Sequence, residues 1–389
     1  MRVSTPAKLG QALGLYLHWP YCARICPYCD FNVYRPKGDP EALLDAILKD
    51  MANWRAKTGP RALSSLHFGG GTPSLMEPGW ITRVIETADR LWGFVSEPEI
   101  GLEANPDDRA RFAGIAQAGV RRLSLGVQSF DDRVLAILGR AHDGSDARMA
   151  IASALAAFDR VSVDMIYAHA GQSLEDWRVD LGDALSSGAG HVSAYQLTIE
   201  PGTAFGKRTG RGEVLAVGDD NAADLYELTQ GMCEAAGFPA YEVSNHARSL
   251  ADRSLHNRIY WEGGDWIGVG PGAHGRLGQS AGEGRIATTA LRRPSDYIES
   301  VTHTGSGVSE DGAERLQPDD DMVERAFLGL RVVDGLDLDH IECATGRQLV
   351  AADIDRMVAD GFLIRDGARI RLTGQGRLLA DRVTREILP

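Results

Sequence analysis

The chain predicts an α/β fold with a smaller C-terminal unit, and three observations carry that prediction. First, strand-length apolar runs alternate with segments of helical periodicity six times between residues 14 and 197. Regular alternation of this kind implies a parallel sheet with right-handed crossovers, closed into most of a (β/α) barrel or left as an open doubly wound sheet. Second, residues 318–389 change pattern to three helical stretches and a hairpin, the arrangement of a winged helix. Third, nearly every unusual polar residue falls where a predicted strand ends, the edge at which both parallel architectures gather ligands.

The elements follow in order. Residues 14–19, GLYLHW, read as a buried strand stopped by Pro20, since proline cannot continue a central strand. From Pro40 to Lys57 the residues Leu43, Leu44, Ile47, Leu48, Met51 and Trp54 recur at helical spacing. Strands are predicted at 63–68, 98–103, 120–127, 160–167 and 190–197, and the intervening helices at 78–91, 108–118, 145–157 and 174–187. Residues 201–218 read as a loop and 219–236 as a helix; 266–275, WIGVGPGAHG, is strand-like and rich in glycine. Residues 276–311 hold many Gly, Ser and Thr and read as a connector. Helices at 319–333, 350–360 and 374–387 and a hairpin near 362–373 complete the chain.

Bulk properties narrow the function. A net charge of −13 argues against a general nucleic-acid surface, because phosphate neutralisation needs Lys and Arg. The sequence holds no apolar run of transmembrane length, and MRVSTPAKLGQALG lacks a signal-peptide core. The five cysteines are an odd number and fit a reducing cytoplasm. Cys233 and Cys343 sit in helix-like stretches and read as small buried hydrophobes.

The other three, Cys22, Cys26 and Cys29, lie within CARICPYC. Such clustering reads as metal binding. Three thiolates can hold three irons of a [4Fe-4S] cluster and leave the fourth open to a non-protein ligand; the alternative is a zinc knuckle completed by His18 or Asp30. Glycines in Gly69-Gly70-Gly71-Thr72-Pro73 permit close backbone approach or a tight turn. Glu103, at the next strand end, suits an amine or ribose hydroxyls, or is a solvated rim charge. Arg140 suits a carboxylate in a two-pronged pair, or is a surface arginine. Gln128 and Asp164 end the following strands. HNRIYW, residues 256–261, reads either as a ligand contact or as a turn with a satisfied histidine.

The C-x3-C-x2-C spacing with Tyr28, followed by the glycine run, resembles the radical S-adenosylmethionine superfamily. Tyr16, GGGTP, LEANP around Glu103, GVQS around Gln128, Arg140 and VDMIY around Asp164 are similar to its oxygen-independent coproporphyrinogen III oxidase family. The resemblance implies a partial (β/α)6 radical S-adenosylmethionine barrel over 1–245, an extension and linker over 246–311, and a winged-helix-like domain over 312–389. It implies Cys22, Cys26 and Cys29 as ligands of a [4Fe-4S] cluster. It implies S-adenosylmethionine contacts from Tyr16, Tyr28, Gly70, Gly71, Glu103, Gln128, Arg140 and Asp164. The oxidase branch carries one more cysteine two residues after the third; here that position is Phe31. With HNxxYW, this points to the heme-chaperone branch and away from coproporphyrinogen decarboxylation. The resemblance then implies heme as a ligand with His256 in contact, heme-accepting respiratory proteins as partners, and an electron donor for the cluster. It leaves room for a homodimer and for a peripheral membrane contact. One departure stands out: the family turn Gly-Leu-Pro-Gly-Gln reads Ala168-His169-Ala170-Gly171-Gln172, so a different backbone is expected there, with His169 a surface residue or a further heme or metal contact.

Overall fold

A computed structural model describes residues 12–278 and 284–389. Residues 1–11, including most of the N-terminal stretch discussed above, and 279–283 of the expected connector lie outside the described residues. Six strands, β1 (Leu13–Trp19), β2 (Leu63–Gly70), β3 (Phe94–Ala104), β4 (Arg122–Gln128), β5 (Arg160–Tyr167) and β6 (His191–Gln196), pair in parallel in sequence order. Their inward residues are almost wholly buried, among them Leu13, Leu15, Leu17, Leu66, Phe68, Leu123, Leu125 and Val163. Strands covered by helices on a crossover path bury apolar side chains on both faces, which is why these segments read as apolar runs.

The sheet is larger than six strands and remains open. β7 (Asn245–Ala247) adds antiparallel to β6. At the other edge β8 (Asp265–Val269) adds parallel to β1, and β9 (His274–Gly278), β10 (Arg285–Thr289) and β11 (Ala313–Arg315) continue it antiparallel. The order is β11-β10-β9-β8-β1-β2-β3-β4-β5-β6-β7. The expected connector at 276–311 is thus corrected: it supplies strands and the helix Pro294–Thr304. Its periodicity was weak because these strands are short and half exposed, with Gly275 packed against the Thr288 hydroxyl where a side chain would not fit. The loop at 201–218 likewise contains a short helix, Ala204–Thr209, capped by the Thr203 hydroxyl.

Residues from Met322 onward close a second hydrophobic cluster around Met322, Ala326, Ile341, Ile354 and Ile370. Three short strands, β12 (Leu336–Asp337), β13 (Leu363–Asp366) and β14 (Arg369–Leu372), pair antiparallel in the order β12-β14-β13. The winged form has one strand more than expected. It also has an additional helix, Leu338–Thr345, while the predicted last helix is broken into Gly374–Leu378 and Ala380–Glu386. Cys233 is buried as expected; Cys343 is exposed. No helix among the described residues is long and apolar enough to cross a membrane.

Candidate functional site

The C-terminal ends of β2 to β6 surround a cavity of about 470 Å3. Seven of the residues expected to bind S-adenosylmethionine line it: Tyr28, Gly70, Gly71, Glu103, Gln128, Arg140 and Asp164. Cys26 and Cys29 stand at the same cavity, and Cys22 lies buried behind Thr72, whose hydroxyl donates to its Sγ at 3.4 Å. Burial pushes the Cys29 thiol up to about 11 and raises that of Cys22. Metal binding would therefore release protons from these thiols. His18 does not complete a zinc site here, because both ring nitrogens are engaged: Nε2 donates to Asn32 O at 2.9 Å, and Nδ1 is hydrogen-bonded with Tyr16 Oη at 3.1 Å. Among the described residues, no three His, Cys, Asp or Glu side chains converge on one metal ion.

Each wall residue has a local cause. Gly70 adopts φ 107, and a Cβ there would meet the His18 ring at 2.5 Å; Gly71 would collide with the backbone after β1. The glycines are required first by the chain's own packing, and this brings bare backbone to the cavity wall. The Gly70 N–H donates to Glu103 Oε2 at 3.1 Å, and Glu103 Oε1 lies 3.2 Å from His67 Nε2. Gln128 sits at φ 70 where the β4–β5 register slips. A non-glycine left-handed residue at a bulge stores strain that positions a side chain, here into the cavity. The half-buried Arg140 guanidinium donates to Asn105 Oδ1 at 2.5 Å and Gly126 O at 2.9 Å, with Tyr28 Oη at 3.4 Å and Cys26 Sγ at 3.5 Å. It has no carboxylate partner among the described residues. Asp164 accepts from Ser124 at 2.7 Å and Ser162 at 2.8 Å, and burial raises its pKa against the help of those hydroxyls.

Two expected ligand residues lie elsewhere. Tyr16 lines a neighbouring cavity of about 590 Å3 on the far side of Glu103. His256 lines neither cavity. It is 1% exposed, with Nδ1 at 2.7 Å from Ser65 Oγ and Nε2 at 2.5 Å from Tyr260 Oη, and its ring stacks on His67. A heme contact through His256 Nε2 would require its hydrogen bond to Tyr260 to break and the buried ring to become accessible, so the satisfied-histidine reading describes its geometry. The helix that carries it, Leu255–Trp261, is fixed by buried Glu99, which accepts from the N–H groups of Leu255 and His256 and pairs with Arg160 at 3.0 Å. His169 faces a separate surface cavity and not the one at the cysteines. Ala168 keeps a left-handed φ of 68 although it is not glycine, held by its N–H to Gln172 Oε1 and its carbonyl to Val217 N–H. The altered turn therefore retains a glycine-type backbone at its first position.

Sequence reasoning missed His67, Ser124, His191 and Ser193 on the cavity wall. A signal existed: Arg122, Ser124, Gly126 and Gln128 alternate along β4, as Ser193 and Tyr195 do along β6, and period-two polar residues on a buried strand face a cavity.

The fold and this edge define a radical S-adenosylmethionine protein. Residues 16–184 match the radical SAM superfamily, and residues 316–379 match the HemN C-terminal domain. The solved structure of coproporphyrinogen III oxidase HemN from Escherichia coli shares this fold with a TM-score of 0.80, at 21% identity over 98% of this chain and 91% of that one. The chain belongs to the HemW heme-chaperone family: it is 38% identical to the heme chaperone HemW of Mycobacterium tuberculosis over 97% of its own length and 95% of that protein's. It is also 31% identical to HemW of Bacillus subtilis, over 95% and 97% of the two chains. The mouse mitochondrial radical S-adenosyl methionine domain-containing protein 1 is similar at 34%, over 99% and 89%.

Proposed function

We propose that this protein is a cytoplasmic heme chaperone that binds heme, a [4Fe-4S] cluster and S-adenosylmethionine, and delivers heme to respiratory acceptor proteins. The observation that carries the reading is at Phe31. It stands 59% exposed beside the cluster loop, where the resemblance places an additional cysteine in the oxidase branch. Full-length similarity to proteins named as heme chaperones supports the same side.

The donor chemistry of the first cavity fits its cofactors. Cys22, Cys26 and Cys29 supply three thiolates and would hold three irons. Arg140, charged and without a carboxylate of its own, would take the carboxylate of S-adenosylmethionine. Glu103 would accept from ribose hydroxyls, and Tyr28 would pack beside the adenine. S-adenosylmethionine on such a cluster supplies one-electron cleavage chemistry when an electron donor reduces it. Glu103 is held by the Gly70 N–H and lies beside His67, so its acceptor oxygens are oriented before a ligand arrives.

The test is an anaerobic heme titration of reconstituted protein run beside a coproporphyrinogen III decarboxylation assay. Saturable heme binding without decarboxylated product is expected. Turnover to protoporphyrinogen would overturn the chaperone reading and restore the oxidase.

A further inference from the structure

The second cavity is not absorbed by the cofactor chemistry. It adjoins the first through Asp30, Phe31, Gly70 and Glu103, which line both. Its volume, about 590 Å3, is within the range of sites for small organic ligands and cofactors. Aromatic rings make much of its wall: Tyr16, Phe31, Tyr260 and Trp266, the last two with centroids 4.6 Å apart. At its edge stand His274, at the start of β9, and Arg292.

We propose that this cavity is the heme site of the protein, with His274 Nε2 as an axial iron ligand and Arg292 pairing a propionate. The proposal rests on the heme-chaperone reading and places its cargo away from the buried His256.

Three observations support it. His274 is exposed, and its Nδ1 lies 3.2 Å from the Thr289 hydroxyl. With the Nδ1 proton given to that oxygen, Nε2 keeps its lone pair and has no hydrogen-bond partner among the described residues. A second-nitrogen hydrogen bond that fixes tautomer and ring orientation is the usual support of an iron-ligating histidine. Arg292 is exposed and makes only a long contact, 3.4 Å, to Asn32 Oδ1, with no carboxylate partner among the described residues. A guanidinium with no carboxylate partner among the described residues, beside a cavity lined by four aromatic rings, suits an amphipathic ligand with acidic tails.

The walls are held by residues already noted for other reasons. Asn32, three positions after Cys29, donates to the carbonyls of Pro271 and Arg292, both at 2.8 Å, and so ties the cysteine loop to the turn before His274. Trp266 Nε1 donates to the His274 carbonyl at 3.1 Å. His256 anchors the Tyr260 hydroxyl and with it the orientation of that ring. His256 is then a positioning residue, and the HNxxYW segment contributes to the heme site through Tyr260.

The experiment titrates ferric heme into the full chain and follows the Soret band, for wild type, His274→Ala, Arg292→Ala and His274→Ala with added imidazole. Circular dichroism checks each fold. The expected result is saturable binding by wild type and a shifted Soret band with roughly tenfold weaker binding in His274→Ala. Free imidazole should restore the wild-type band. Arg292→Ala should weaken binding severalfold without shifting the band. Wild-type affinity and spectrum in a folded His274→Ala would overturn the assignment while leaving a heme chaperone whose site lies elsewhere. If His274→Ala fails to fold, Arg292→Ala decides: unchanged affinity there also overturns it. Absence of saturable binding by wild type would overturn the chaperone reading itself.

Discussion

The two cavities that meet at Glu103 are built in opposite ways. The first is a product of the parallel sheet. Its residues end successive strands, so each is delivered by a short loop at a repeating position in the chain. The second is assembled from distant segments. Asn32 of the cysteine loop holds Arg292, 260 positions later, and a helix, a glycine turn, β8 and two antiparallel strands join β1 and the ends of β2 and β3 in the remaining wall. The difference teaches that regular topology writes its binding edge into the sequence, whereas an extension folded back on the sheet leaves no local pattern.

The largest expected effect separates the two cavities outright. Cys26→Ser should abolish stable cluster assembly, measured as iron and sulfide content after reconstitution, while heme affinity stays within about threefold of wild type. Parallel loss of heme binding would show that the cavities are not independent. Arg140→Gln should weaken S-adenosylmethionine binding at least roughly tenfold by equilibrium dialysis, because a charge-assisted pair is lost. An unchanged affinity would remove Arg140 from the ligand site.

Glu99→Gln acts on the other side. Burial opposes ionisation of Glu99, but Arg122, Arg160 and the N–H groups of His256 and Leu255 outweigh it, and its pKa is depressed. Breaking such a buried pair costs about 3 kcal/mol. The sign follows from linkage: a carboxylate depressed on folding stabilises above its unfolded pKa, and that stability is lost as pH falls through the folded value. Urea unfolding should therefore show a large penalty for Glu99→Gln at pH 7 and a smaller one as the pH falls below the unfolded glutamate range. A pH-independent difference would contradict the assigned charge state. Heme binding should suffer more than S-adenosylmethionine binding, since Glu99 holds the helix that carries Tyr260.

The smallest effect is at Ala168. Glycine there would relieve about 1–2 kcal/mol of left-handed strain. It would also forfeit about 0.8 kcal/mol of buried methyl and gain about 0.4–1 kcal/mol of unfolded-state entropy. The sum lies within about 0.8 kcal/mol of zero, so Ala168→Gly should change the unfolding midpoint only slightly. A gain beyond about 0.8 kcal/mol would mean that the Ala168 methyl contributes less packing than a buried methylene.

These residues also show what the sequence could reveal. The six parallel strands and the cysteine loop are legible because each depends on local spacing, and the strand-end rule with the family resemblance points to seven residues that line one cavity. Tyr16 lines the second cavity, which the sequence does not announce, because alternation on β1 fixes which face a side chain takes and not which of two adjacent cavities it enters. HNRIYW leaves His256 open between a ligand contact and a satisfied histidine, because nothing local announces Ser65 and Tyr260 as its partners. The strands at 276–311 escaped notice because their pairing is non-local and their residues are small. His274 and Arg292 gave no signal until β9 and β10 placed them beside Phe31 and Tyr260.

The most direct test of two adjacent but separate sites is a heme titration of cluster-bearing protein already saturated with S-adenosylmethionine. The account predicts simultaneous occupancy, one heme per chain, with each ligand changing the other's affinity by no more than about threefold. Mutual exclusion, with heme displacing S-adenosylmethionine at equal stoichiometry, would contradict it and collapse the two cavities into one functional site.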